Sequence, residues 1–173
     1  MFQTIEGHRE ISDLARNWEV VLDELENLER RAFTLWPDKH YKGDWKVFPL
    51  YKFGVKIEDN CLLCPETTRL VEAIPGMTTA GFSSLSPGTH IKAHVGYTSD
   101  VLRCHLGLRA SDKCAIRVGK ETRSWNPGAC FIFDDMIEHE AWNRGKSIRD
   151  ILLLDFRKDL AKPASFPERV YAY

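Results

Sequence analysis

Long apolar runs are missing from this 173-residue sequence. The longest, such as Cys130 to Phe133 and Ile151 to Leu154, have the length of strands, far short of the ~20 residues needed to span a bilayer. Charge of one sign is missing too. Lys and Arg total 24 against 25 Asp and Glu, a net charge of -1, and no basic stripe or tail invites a polyanion, so no nucleic-acid partner is expected. Cysteine is sparse: residues 61, 64, 104, 114 and 130 form an odd set without the density of a disulfide scaffold. Free thiols and a cytoplasmic setting are the simpler expectation. Cys61 and Cys64 make a lone CxxC without a second pair, so they are read as small buried hydrophobes. The opening MFQTIEGHRE lacks a basic segment leading into an apolar one, so no secretory signal is expected. There is no internal repeat, low-complexity tract or compositional break.

What is present suits one globular domain over residues 1–173, with 43% hydrophobic and 28% charged residues. Ile11, Leu14, Trp18, Val21, Leu22, Leu25 and Leu28 recur at helical steps with acids between them, predicting a single amphipathic helix from about Ser12 to Glu29, capped by Ser12. A turn-rich, aromatic stretch follows from Phe33 to Phe53. A short helix after Pro65 is expected to turn Leu70 and Val71 inward and to stop near Pro75-Gly76. Beyond Ala80 the pattern changes to short strands: 81–85, 89–94, 102–108, 115–118, 129–133, 138–142 and 148–156, separated by turns such as Ser86-Pro87-Gly88 and Asn126-Pro127-Gly128. Helices followed by seven strands at this spacing predict a mainly β barrel or sandwich, with a helical part over 1–78 packing on a β core over 79–160.

Four of the six histidines, His90, His94, His105 and His139, fall in the strand-rich half. His90 and His94 are an even number apart and are expected to share a face. Two imidazoles with a carboxylate are a familiar iron(II) site, yet histidines also fill strand interiors and bond to backbone carbonyls. Periodicity leaves both readings open.

Ordered motifs add to this pattern. The segments FSSLSPGTHIKAHVGYTSDVLRCHLGL and CAIRVGKETRSWNPGACFIFDDMIEHEAWN, with the arginine of SIRDILLLDF, resemble the aspartyl/asparaginyl beta-hydroxylase family from Phe82 to Phe156. Asp59-Asn60 and Cys64-Pro65-Glu66-Thr67 extend the likeness upstream. The resemblance implies a double-stranded β-helix, a jelly-roll of cupin-like form, and a dioxygenase dependent on iron(II), 2-oxoglutarate and O2. It implies His94 and His139 as the metal ligands. The residue two beyond His94, a carboxylate in most such oxygenases, is Gly96 here as the family pattern expects, so water would take the third protein position. Asp134, Asp135, Glu138 and Glu140 crowd around His139. Of these, Glu138 and Glu140 are expected to face away and the aspartates to shape the loop or support a ligand histidine.

The resemblance also implies Arg149 as the anchor for the distal carboxylate of 2-oxoglutarate, a task suited to a guanidinium fork, with help from Ser83, Arg103 and His105. A solvent-facing partnership with Asp or Glu is the plainer reading for Arg103 and Arg149. Lys92, Tyr97, Arg109, Arg123 and Trp142 are candidates for a pocket rim. The expected reaction is hydroxylation of an unactivated C–H bond, releasing succinate and carbon dioxide. Its expected substrate is aspartyl- or asparaginyl-like, amino-acid-derived, small and polar, or carried on a peptide or carrier. Phe156-Arg157-Lys158 departs from the WHP-like ending of relatives of the animal enzyme, which sets a shared substrate in doubt. Two alternatives stand beside this one: a cupin-like metal dioxygenase without 2-oxoglutarate, and a catalytically silent β-helix that binds a ligand.

Overall fold

A computed structural model describes residues 1–37 and 40–168. The amphipathic stripe near the start forms two helices, α1 (Arg9–Arg16) and α2 (Trp18–Asn27), where a single one was expected. Asn17 makes the break: its side-chain amide donates to the Asp13 carbonyl at 2.8 Å, competing with the helical ladder. Ser12 lies inside α1 and its hydroxyl donates to the His8 carbonyl, so it is not the cap. Ile11, Leu14, Val21 and Leu25 are buried, as the stripe demands. Two further helices, α3 (Glu58–Leu63) and α4 (Pro65–Glu72), follow, the latter opened by its proline and burying Leu70 and Val71.

Thirteen strands lie among the described residues: β1 (Phe2–Gln3), β2 (Thr34–Leu35), β3 (Tyr41–Lys42), β4 (Trp45–Lys52), β5 (Val55–Lys56), β6 (Met77–Leu85), β7 (His90–His94), β8 (Val101–Arg109), β9 (Cys114–Val118), β10 (Glu121–Arg123), β11 (Cys130–Phe133), β12 (His139–Asn143) and β13 (Arg149–Arg157). All seven expected strands are present. The stretch from Phe33 to Phe53, read as turns, instead supplies β4, which pairs with β6 along nearly its whole length. Residues 1–78 therefore contribute strands as well as helices.

The strands form two antiparallel sheets. The larger has the order β1-β11-β8-β13-β6-β4-β2, with β5 added on β4; the smaller has the order β10-β9-β12-β7-β3. One apolar cluster, including Leu14, Leu25, Phe48, Phe82, Leu106 and Leu152, joins the helices to the larger sheet. A second, including Trp45, Leu85, Ile116, Phe133 and Ile151, draws on both sheets. The two-sheet architecture with N-terminal helices resembles cupin and jelly-roll folds, but the sheets remain separate and do not close into one barrel. Strand alternation divides β13 between these environments: Leu152 and Leu154 join the helix-side cluster, while Ile151 and Leu153 turn towards the smaller sheet.

Candidate functional site

Between the sheets lies a small chamber with walls from both. His94 ends β7 and His139 begins β12, and the two are direct cross-strand partners. Their ring centroids stand 4.3 Å apart. In each, Nδ1 is 2.8 Å from the carbonyl oxygen two residues earlier, that of Lys92 for His94 and of Ile137 for His139. A carbonyl can only accept, so Nδ1 carries the proton and Nε2 keeps its lone pair. Burial, followed by the neighbouring His139, pulls the pKa of His94 down to about 3. Burial, followed by Arg103, pulls that of His139 down to about 4. Both rings are neutral near pH 7, the state in which imidazole binds a metal.

His90 does not share the face of His94. Its Nε2 lies 2.9 Å from Glu140, on the outer side of β12. The β7–β12 register shifts between His139 and Ala141, and that irregularity reverses the expected parity. Glu140 and Glu138 face away from the chamber, as expected, and pair with Arg117.

The two aspartates before His139 have separate tasks. Asp134 accepts from the Met136 amide and pairs with Lys158, shaping the loop. Asp135 is buried, with Oδ1 3.3 Å from His139 Nε2 and 2.6 Å from an Arg103 nitrogen. A Cβ built on Gly96 would overlap the Asp135 carboxylate, so glycine at 96 is what admits this acid from β12's approach loop. Among the described residues no group of three His, Cys, Asp or Glu is assembled around a metal position. A third imidazole borders the two: the His40 ring centre lies 4.3 Å from that of His94.

The remaining candidates line the same chamber. Arg103 makes a two-pronged bond to Asp155 at 2.8 and 2.9 Å in addition to meeting Asp135, so it is paired, but inside the protein. Ser83 is buried; its hydroxyl accepts from Trp45 Nε1 at 3.0 Å and its carbonyl accepts from Arg149 at 3.2 Å. His105 Nδ1 accepts from Trp125 Nε1 at 3.3 Å, which leaves the proton on Nε2. Burial first, then Arg103 and Arg149, push the His105 pKa well down, so the ring is neutral. Its buried Nε2 has no hydrogen-bond partner.

Arg149 is 1% exposed, which rules out the solvent-facing reading. Its guanidinium lies 4.7 Å from the Trp125 ring centre, and its Nε has no hydrogen-bond partner. Among the described residues no carboxylate forms an ion pair with it, and burial lowers its pKa to about 10. Such a charge is costly unless an anion joins it.

Of the rim candidates, Tyr97 lines a cavity beside the chamber. Arg109 pairs with Asp150 and Glu26 on the helix side. Arg123 covers Phe2, and Trp142 is covered by Arg144. The expectation that an aspartate supports a ligand histidine falls on Asp135, beside His139; its burial has no signal in the sequence, because loop geometry rather than strand parity turns it inward.

The family model for aspartyl/asparaginyl beta-hydroxylase matches residues 15–159. This chain belongs to that family. It is 50% identical over 125 residues to the ornithine lipid ester-linked acyl 2-hydroxylase of Rhizobium tropici, covering 70% of this chain and 44% of that protein. It is 36% identical over 155 residues to the human aspartyl/asparaginyl beta-hydroxylase, covering 84% of this chain and 20% of that protein. The chain thus spans less than half the length of these relatives. In fold it is similar to a cupin-like protein from Thermotoga maritima, at a TM-score of 0.51 and 13% identity, covering 84% of this chain and 93% of that one. A predicted oxalate decarboxylase from the same organism gives a TM-score of 0.50 at 12% identity, covering 72% and 90%. Family membership makes the chain a relative of iron(II)/2-oxoglutarate-dependent hydroxylases. No helix of the described residues is long and apolar enough to cross a membrane.

Proposed function

We propose that this member of the family hydroxylates an unactivated C–H bond with iron(II), 2-oxoglutarate and O2, releasing succinate and carbon dioxide. In this reading the two sheets are the halves of a double-stranded β-helix, and residues 1–173 act as one oxygenase domain. The observation that carries it is Arg149: a buried guanidinium without a carboxylate partner, in the chamber that holds the neutral imidazoles of His94, His105 and His139.

The donor set fits the expected groups. His94 and His139 offer Nε2 lone pairs to iron(II), a metal that suits imidazole nitrogen. His105 Nε2–H and Arg149 Nε–H are buried donors awaiting acceptors, which two carboxylates and a keto group supply. When bound, iron and 2-oxoglutarate supply the oxidising chemistry, which lies beyond the reach of the side chains themselves. Arg149 holds the distal carboxylate, and Ser83 orients Arg149 through its carbonyl. His105 donates to the co-substrate. Asp155 fixes Arg103, which in turn holds Asp135 beside His139. The apolar walls of Ile91, Ile116 and Ile151 exclude water from the reacting centre.

Anaerobic addition of iron(II) with 2-oxoglutarate is expected to give the weak visible charge-transfer band of the chelate. His94→Ala should abolish it, and Arg149→Ala should raise the 2-oxoglutarate concentration needed. Iron binding without a band would favour a dioxygenase independent of 2-oxoglutarate, and failure to bind iron would favour a silent β-helix. The names of the relatives leave two substrate classes open, the ester-linked acyl chain of a lipid and aspartyl or asparaginyl residues.

A further inference from the structure

Strand β2 lies at one edge of the larger sheet and β3 at one edge of the smaller. The chain between them passes from sheet to sheet and ends on His40, just before Tyr41 pairs with Ile91 of β7. The Lys92 amide donates to the His40 carbonyl at 2.9 Å, which fixes that backbone beside β7 two residues short of His94. Each strand of this crossing has only two residues, so little pairing holds it. His40 lies upstream of every motif that named the other site residues.

The His40 side chain is half-buried, with Nε2 inside. Its ring centre stands 4.3 Å from that of His94 and 5.8 Å from that of Trp45. Both neighbours are walls of the chamber. The first spacing repeats one already seen, since His94 and His139 are also 4.3 Å apart. Metal–nitrogen bonds of ~2.0–2.1 Å put the ring centres of two adjacent imidazole ligands roughly 4–5 Å apart. Both pairs fall in that range. After burial, His40 is among the groups that press down the pKa of His94 and of His139, so it lies within electrostatic reach of each. Packing against His94 asks only for a flat ring; an imidazole brings a lone pair as well.

The site is short of one protein ligand. Gly96 supplies no carboxylate, and Asp135, which fills its space, is paired with Arg103 at 2.6 Å. We infer that His40 is a third protein ligand of the metal held by His94 and His139. As the rings stand they do not meet at one position. A change of side-chain rotamer at His40, on a crossing held by two-residue strands, brings the third nitrogen in without disturbing either sheet. Three protein ligands are the number in the usual facial triad, which keeps its remaining positions open. A third neutral imidazole adds no charge, so a dianionic co-substrate still meets a cation that the protein has not cancelled. What it adds is retention of the metal before the co-substrate arrives. This assignment rests on metal binding by His94 and His139, whatever the substrate.

The test loads metal-free protein with an equimolar amount of copper(II), without co-substrate, and counts coordinated imidazoles by electron spin-echo envelope modulation. Three are expected in the wild type and two in His40→Gln. In competition with a chromophoric chelator, His40→Gln should hold zinc(II) about 100-fold less tightly or worse, at or beyond the ~10–100-fold lost with residues that only support a ligand. His40→Phe keeps a flat ring against His94 and should match His40→Gln in both readings while melting like the wild type. Two imidazoles in the wild type, or one count shared by all three proteins, would remove His40 from the metal and leave the oxygenase reading standing. Wild-type zinc affinity in His40→Phe would make the ring a packing residue and overturn the inference equally. Folded wild type that binds no copper, or binding indifferent to His94→Ala, would remove the metal reading itself and this ligand with it.

Discussion

Arg149 and Asp150 are neighbours on one strand, yet they occupy opposite electrostatic worlds. Both are 1% exposed. Asp150 faces the helix side, where Arg30 grips both of its oxygens at 2.9 and 3.1 Å, Arg109 adds a bond at 3.0 Å, and Ser84 donates its hydroxyl. Arg149 faces the chamber and has one bond to a backbone carbonyl and an aromatic ring, with no acid beside it. A satisfied buried charge holds a structure together; an unsatisfied one sets a place for something else. The difference separates architecture from binding site within a single step of the chain.

The sharpest way to break this comparison is to remove each charge. Arg149→Ala is expected to weaken 2-oxoglutarate binding about 100-fold or more, in line with the ~2–5 kcal/mol lost when one partner of a buried charge pair is truncated. Its unliganded melting temperature should not fall, because an unpaired buried charge leaves with it. Isothermal titration in the presence of iron(II) or manganese(II), with a thermal melt, checks both halves. A large loss of stability would instead make Arg149 a structural residue.

Asp150→Ala should do the reverse. Urea denaturation is expected to show a loss of about 2–3 kcal/mol, while any properly folded fraction keeps its 2-oxoglutarate affinity. The loss is limited because Arg30 and Arg109 are part-exposed and can be rehydrated.

Gly96→Ala probes the chamber from its other side. The added methyl group would overlap the Asp135 carboxylate, so a cost of about 1–3 kcal/mol in thermal stability is expected from overpacking. A melt identical to the wild type would show that Asp135 moves aside without penalty.

The smallest effect is a pH dependence. Burial alone would raise the pKa of Asp150, but hydrogen bonds from Arg30 and Ser84 outweigh it and hold the carboxyl below its usual range. A depressed folded pKa gives stability that is present above the ordinary carboxylate pKa of ~3.9 and is lost as pH falls through the folded value. The stability gap between wild type and Asp150→Asn should therefore narrow in acid below about pH 4. A gap that widened on acidification would contradict the assignment.

Much of the β half was legible because alternating apolar residues and Gly/Pro turns mark each strand locally. The helices were legible as a buried stripe, but Asn17 broke that stripe through a side-chain bond that periodicity does not register. Strand β4 was missed because Trp36-Pro37 and Lys42-Gly43-Asp44 read as turns and Pro49 interrupts the run, while its pairing partner β6 lies about thirty residues away. His94, His139, Ser83, Arg103, His105 and Arg149 were named from ordered motifs, and all six line one chamber. Strand parity alone would have paired His90 with His94 and been misled by the register shift.

By itself the sequence determined which segments favour strand or helix, which residues carry metal-binding and anion-binding chemistry, and the family to which they belong. Those depend on local composition and on motif order along the chain. Only the tertiary structure decided that Arg149 lacks an acid while Arg103 has two, that Asp135 occupies the space above Gly96, and that a carbon-lined groove shares a wall with the chamber. Each of these is a relation between strands distant in sequence. Whether a buried charge has a partner depends on how the sheets face one another.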